Sequence, residues 1–140
     1  MGGPFRHTLR VRYNECDPQG VVFNGNYLVY FDVALTALWN EVGGYKKMLE
    51  AGTDLVVAEA RVRYLSPLRF DDEFEVAIRI LRLGETSMAT GFTLEREEEP
   101  VAEGELRHVF VTAGEGGKRT IPGAMRAGLE AYAVSDSSAP

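Results

Sequence analysis

Residues 27–42 restrict the fold more than any other stretch: Tyr27, Phe31, Ala34, Leu35, Leu38 and Val42 recur at spacings of three and four, and Tyr30 and Trp39 widen the stripe until Gly43-Gly44 stops it. The spacing predicts one helix of about four turns. A helix apolar around so much of its circumference must be covered on most sides by other parts of the chain. The remaining sequence reads as the sheet that covers it. Residues 5–13 alternate, with Phe5, His7, Leu9, Val11 and Tyr13 on one face and Arg6, Thr8, Arg10 and Arg12 on the other. That is the period-two pattern of a half-buried strand.

Further strands are predicted over residues 54–65, ended by Ser66-Pro67, and over 73–83, where Phe74, Val76, Ile78 and Ile80 share a face. Gly84-Glu85 turns the chain into a strand over 86–96, in which Met88, Thr90, Phe92 and Leu94 alternate with smaller or polar residues. Glu97-Glu98-Glu99-Pro100 reads as a solvated hairpin loop before a last strand over 101–113. Pro122 suits the first turn of a short C-terminal helix bearing Met125, Leu129 and Tyr132, and residues 135–140 read as a frayed tail. The order points to α+β: a five-stranded antiparallel sheet on one long helix, as a single domain over 1–134. With 140 residues, 45% of them hydrophobic, the chain can bury one core. One helix cannot cover every apolar sheet position, and a sheet of this size has edges; pairing two copies edge to edge removes one. A homodimer is expected, with a tetramer available through a sheet face or the helices.

A formal net charge of −6 argues against nucleic acid as a partner. The segment 1–7 has no apolar run resembling a signal peptide, and no later segment is long and uncharged enough to span a bilayer, so a soluble, cytoplasmic protein with no membrane partner is expected. The single Cys16 excludes an internal disulfide framework and any multi-cysteine zinc site. As a nucleophile Cys16 would need a base, and His7 and His108 both lie in strand-like sequence.

Chemistry concentrates in residues 14–27, where Asp17 sits in the turn Asp17-Pro18-Gln19-Gly20 just ahead of the long helix. A carboxylate there can attack a carbonyl or take a proton from water. Backbone N–H groups around Asn24, Gly25 and Asn26, at the helix start, can receive negative charge from a carbonyl oxygen, helped by the helix dipole. The plain alternative is that Asp17 caps the turn through its side chain and that Asn24 or Asn26 is an N-cap. The residue pattern alone leaves both open.

Arg10-Val11, Cys16-Asp17, Gly20-Val21-Val22-Phe23, Asn26-Tyr27 and the aromatic helix with Asp32-Val33-Ala34 together resemble the signature of the 4-hydroxybenzoyl-CoA thioesterase family of hotdog-fold enzymes. Tyr64 with Pro67, and Asp71-Asp72-Glu73 entering the next strand, extend the likeness over nearly all of the chain. The resemblance implies a sheet wrapped around the long helix, a homodimer with a continuous sheet, and active sites at the subunit interface. It implies Asp17 as the catalytic carboxylate and the backbone near Asn24 and Gly25 as the group that polarises the carbonyl of an acyl-CoA substrate. A thiolate leaves readily, so neither metal nor organic cofactor is expected. Tyr13, Asn26 and Tyr27 are pocket candidates. Asp32 either accepts a hydrogen bond from a hydroxylated acyl group or lies exposed on the helix.

Two positions depart from the family pattern. Relatives often carry His or Tyr where this chain has Asn24, whose amide donates hydrogen bonds but is neither acid nor base near neutral pH. Some relatives carry a basic cluster where this chain has Gly84-Glu85-Thr86 before Ser87, so the CoA phosphates must find charge elsewhere: Arg82 with Ser87, or the Arg61/Arg63 pair. The rival readings are hydrolysis of acyl-carrier-protein thioesters and a non-catalytic acyl-CoA binding module. A dehydratase is disfavoured because neither histidine lies in the motif.

Overall fold

The computed structural model describes residues 2–134. Its elements are β1 (Phe5–Arg10), a 3-10 turn (Tyr13–Glu15), α1 (Asn26–Glu41), α2 (Tyr45–Glu50), β2 (Thr53–Tyr64), β3 (Glu73–Leu83), β4 (Ser87–Arg96), β5 (Glu99–Thr112) and α3 (Gly123–Glu130). The strands form one five-stranded sheet in the order β1-β3-β4-β5-β2, and every neighbouring pair is antiparallel. The tail expected over 135–140 lies outside the described residues.

The alternating positions of β4 behave as expected: Met88, Thr90, Phe92 and Leu94 are all buried. They face α1, whose Tyr27, Tyr30, Phe31, Ala34, Leu35, Leu38 and Trp39 are buried in turn. Aromatic contacts set the seat of the helix. Tyr30 tilts on Phe74 with ring centroids 4.8 Å apart, Phe31 stacks on Phe92 at 4.4 Å, and Trp39 meets the edge of Phe110 at 6.4 Å. The helix start therefore lies over the beginning of β3, and its end over the last part of β5. Gly104 makes room for it: a Cβ on that residue would stand 2.3 Å from the Phe31 ring and 2.8 Å from the Arg61 carbonyl.

Three expectations change. The first strand ends at Arg10 and not at residue 13, because the main chain of Val11 turns to the loop before β3: its N–H donates to the Asp72 carbonyl at 2.9 Å, and its own carbonyl accepts from Asp71 N–H at 3.1 Å. Tyr13 then falls in the 3-10 turn, 81% exposed. Secondly, the long helix is not followed directly by a strand. Gly43 and Gly44, both at positive φ, admit α2, a six-residue helix that buries Met48; one apolar anchor in so short a piece leaves no periodicity to read. Thirdly, the hairpin after β4 is tighter than the acidic run suggests. Glu97 and Glu98 both adopt positive φ, as a type I′ turn requires, and β5 starts at Glu99.

The two outer strands, β1 and β2, are edges. Beside β2 the inner surface is uncovered: Val57 is 53% and Tyr64 51% exposed, as are large parts of Leu28, Val29 and Val33 on α1. At the other end of β3, α3 buries Met125 and Leu129, and Tyr132 after it stands edge-on to Phe5. Two buried polar atoms of the inner sheet face, Thr90 Oγ1 and His108 Nδ1, have no hydrogen-bond partner among the described residues. Burial pushes the His108 pKa down from 6.5 to about 4.

Gly104→Ala is expected to destabilise by about 1–3 kcal/mol through overpacking against Phe31, read as a lower urea midpoint; an unchanged midpoint would mean that Phe31 has another place to go. His108 stays neutral in the fold while the unfolded chain takes up a proton, so stability should fall as the pH drops from 6.5 towards 4, by up to about 3 kcal/mol. His108→Leu should flatten that part of the profile of Tm against pH. An equally steep profile in the variant would remove the assignment.

Candidate active site

The segment 15–23 is a small hairpin. Cys16 bridges Val22, Asp17 N–H donates to the Val21 carbonyl at 2.8 Å, and Phe23 N–H donates to the Glu15 carbonyl at 3.0 Å. Its tip is the turn Asp17-Pro18-Gln19-Gly20, closed by Gly20 N–H on the Asp17 carbonyl at 2.9 Å, with Gly20 at φ +82°. The hairpin docks on the loop between β2 and β3: Val22 N–H donates to the Leu68 carbonyl at 2.8 Å, and Val21 bridges Arg69. Arg96 holds that loop from beneath, donating to the Pro67 carbonyl at 2.9 Å and pairing with Asp72 at 2.8 Å.

The turn-capping role of Asp17 is real, since Gln19 N–H donates to Asp17 Oδ1 at 2.8 Å. It occupies one oxygen. Oδ2 has no hydrogen-bond partner among the described residues, so capping and chemistry are compatible in the same carboxylate.

The side chain that binds the hairpin to α1 is Glu15, which the residue pattern did not single out. Its side chain is 12% exposed and pairs with Arg12 Nε at 3.0 Å. Glu15 Oε1 accepts from Arg12 N–H at 2.8 Å and from the Tyr30 hydroxyl at 2.9 Å. Burial works against its charge, yet the bonds from the Arg12 backbone, the Tyr30 hydroxyl and the Arg12 guanidinium prevail and hold the carboxyl below its ordinary range. The same interaction, with burial as the larger cause, pushes the Tyr30 hydroxyl far up. Asn26 adds a second tie, its Nδ2 donating to the Glu15 carbonyl at 2.9 Å.

Neither asparagine caps α1 with its side chain; the N-cap is Gly25, with φ −66° and ψ −22° and no side-chain cap bond. Asn26 N–H donates to Phe23, Tyr27 N–H to Asn24 and Leu28 N–H to Gly25. The N–H groups of Asn24 and Gly25 make no hydrogen bond among the described residues, and they lie at the positive end of a sixteen-residue helix. Asp17, Asn24 and Gly25 are thus carried on one unit made of the hairpin and the first turn of α1.

The other expected residues are placed as follows. Tyr27 is buried, edge-on to Tyr64 with centroids 5.0 Å apart, and its hydroxyl accepts Leu68 N–H at 3.3 Å. Tyr13 lies on the surface, edge-on to Phe70 at 5.8 Å. Asp32 is on the exposed side of α1, one turn on from Leu28 and Val29; partial burial of its carboxyl raises its pKa. Ser87 starts β4, its hydroxyl close under Gly84, and Arg82 is exposed opposite Ala89. These two stand at the far end of β3 and β4 from the hairpin, roughly 30 Å along a ten-residue strand. Within one chain they do not join Asp17. Arg126, which donates to the Gly84 carbonyl, is a cation beside that turn that its position in the sequence did not reveal. Arg61 is committed to Glu105 at 2.7 Å. Among the described residues no group of three or more His, Cys, Asp or Glu could hold a metal ion, and no helix is long and apolar enough to cross a membrane.

Comparison with known proteins agrees with this architecture. A family model described as the thioesterase-like superfamily matches residues 11–129. The acyl-CoA thioester hydrolase YbgC of Escherichia coli O6:H1 is 31% identical over 85 residues, 60% of this chain and 63% of that protein. The crystal structure of AQ1494, a hypothetical protein from Aquifex aeolicus, superposes with a TM-score of 0.86 at 31% identity, covering 90% of this chain and 99% of that one. Slr0204, a 1,4-dihydroxy-2-naphthoyl-CoA thioesterase from Synechocystis, shares the fold with a TM-score of 0.83 at 17% identity, covering 91% and 96%.

Glu15→Gln should lower stability at neutral pH by about 1–3 kcal/mol, since it removes the charge from a nearly buried, hydrogen-bonded carboxylate. The folded pKa of Glu15 lies below its ordinary 4.5, so its contribution is present above that value and disappears as the pH falls through the lowered one. The gap between wild type and variant in urea unfolding should narrow accordingly in acid. A gap that stays constant with pH would rule out the charged form as the stabilising species.

Proposed function

The chain belongs to the thioesterase-like superfamily, and on that premise we propose that it hydrolyses an acyl-CoA thioester to the free acid and CoA. The observation that carries this reading is the pairing, on one rigid unit, of a carboxylate with a free oxygen at Asp17 and two unpartnered N–H groups at Asn24 and Gly25. Asp17 attacks the thioester carbon, or takes the proton from an attacking water. The negative charge that develops on the carbonyl oxygen is met by the Asn24 and Gly25 N–H groups at the helix N-terminus. The C–S bond then breaks and CoA leaves as thiolate; the water route gives the free acid directly, and the nucleophilic route gives an anhydride on Asp17 that a water hydrolyses to the acid and the restored carboxylate. The side chain of Asn24 takes no part as acid or base.

In this reading the sheet wraps α1 in the hotdog manner, and two copies join into a homodimer with sites at their interface. Two features support the dimer. The uncovered strip of Val57, Tyr64, Leu28, Val29 and Val33 beside the β2 edge is apolar surface that a second copy would bury. In addition, Ser87 and Arg82, the candidate CoA contacts, lie too far from Asp17 in their own chain and would serve the site of the other copy. Asp32, on the same strip, is then placed to meet a polar group on the acyl end, with Tyr13, Asn26 and Tyr27 around the pocket. Hydrolysis of a carrier-protein thioester is the second reading, favoured by one observation: Arg61 is tied to Glu105 and gives CoA phosphates little help.

Asp17→Asn should reduce turnover of acyl-CoA roughly 100- to 10,000-fold, the range for loss of a positioned base or nucleophile, while light scattering shows the same dimer mass as wild type. Retention of most activity would sink the role of Asp17, and a monomeric wild type would sink the dimer. Measuring wild-type turnover of one acyl group on CoA and on carrier protein separates the two substrate readings.

A further inference from the structure

Unpartnered N–H groups polarise a carbonyl only if they are held in direction, and the structure shows what holds each of these two. In a trans peptide the C=O and N–H point opposite ways, so a bond that fixes one fixes the other. The Asn24 N–H belongs to the peptide whose carbonyl, on Phe23, accepts Asn26 N–H at 2.9 Å. That is a short local bond. The Gly25 N–H belongs to the peptide whose carbonyl is Asn24 O, and its local bond, from Tyr27 N–H, is long at 3.3 Å. The stronger tie comes from forty residues away: the Tyr64 hydroxyl donates to Asn24 O at 2.9 Å.

Tyr64 is well placed for this. It is the last residue of β2, in register with Ala102 of β5, and its ring stands edge-on to Tyr27 at 5.0 Å. The sheet therefore reaches across to a helix-start peptide whose local bond is long; the next carbonyl, Gly25 O, is held as loosely, by Leu28 N–H at 3.3 Å, but the Gly25 N–H belongs to the Asn24 peptide that Tyr64 ties. The Tyr64 proton is spent on Asn24 O, so the residue acts on the substrate only through that peptide.

We propose that Tyr64 is a positioning residue: by holding the Asn24 carbonyl it aims the Gly25 N–H at the oxygen of the reacting thioester. This rests on the thioesterase reading above. Donors of this kind act mainly when charge develops, so their misalignment falls on kcat more than on KM.

Tyr64→Phe keeps the ring and its contact with Tyr27 and removes only the donor. We expect kcat to fall about 10- to 100-fold, somewhat less than for loss of a whole oxyanion donor, with KM little changed and the thermal transition close to wild type. A second readout is independent of turnover. In the Asp17→Asn background, an acyl-CoA labelled with carbon-13 at the thioester carbonyl should show its C=O stretch shifted to lower frequency on binding, and adding Tyr64→Phe should take back much of that shift. An unchanged kcat together with an unchanged carbonyl shift overturns the inference. If Asp17→Asn alone binds acyl-CoA with no shift, the thioesterase reading itself fails and this inference goes with it.

Discussion

Phe31 lies flat on Phe92 and closes over the bare backbone of Gly104, and the position of α1 follows from that seat. A ring stacked on one strand and pressed to the main chain of the next leaves the helix little freedom to slide or roll, because packed interiors resist displacement. Tyr30 on Phe74 and Trp39 on Phe110 extend the same seam in both directions along the helix. Everything at the helix start inherits this rigidity, including the N–H groups of Asn24 and Gly25.

The hairpin that carries Asp17 is attached to this seam by a partly buried charge. Glu15 gathers donors from Arg12 and Tyr30, and its backbone carbonyl gathers Phe23 N–H and the Asn26 amide. A carboxylate so placed is expensive unless all its partners are present. The arrangement therefore favours a single register of hairpin on helix. Arg96 fixes the facing loop in a similar way through Asp72 and the Pro67 carbonyl. A polar framework surrounds the candidate reacting groups, while Asp17 Oδ2 and the Asn24 and Gly25 N–H groups have no hydrogen-bond partner among the described residues, as preorganised chemistry requires.

Much of the fold was legible because side-chain periodicity reports burial directly. The alternation of Met88, Thr90, Phe92 and Leu94, and the three-and-four spacing from Tyr27 to Leu38, corresponded to the observed inner faces. Legibility failed where tertiary partners redirect the main chain: Val11 leaves β1 for the Asp71-Asp72 loop, and α2 exists because Met48 finds a place in the core. In the site, Asp17 stands out by its turn, and turn capping is one of the two readings its residue pattern leaves open; the structure supplies the capping partner, Gln19 N–H. Glu15 does not stand out, and Tyr64 enters only as part of the resemblance with no role attached, because an acid two residues before another acid, or a tyrosine ending a strand, carries no local mark of its partner.

By itself the sequence determined the kind of protein this is: one apolar helix, five strands to cover it, and an acid in a Pro/Gly turn leading into the helix. Those are local properties, written in spacing and turn chemistry over a few residues at a time. Tertiary structure alone decided which N–H groups stay free and what aims them, because Glu15 meets Tyr30, and Tyr64 reaches Asn24, only after residues far apart in the chain are brought into hydrogen-bonding range. It also decided that Ser87 and Arg82 sit at the opposite end of the strands from Asp17. Strand direction and length set that separation, and no local pattern records it.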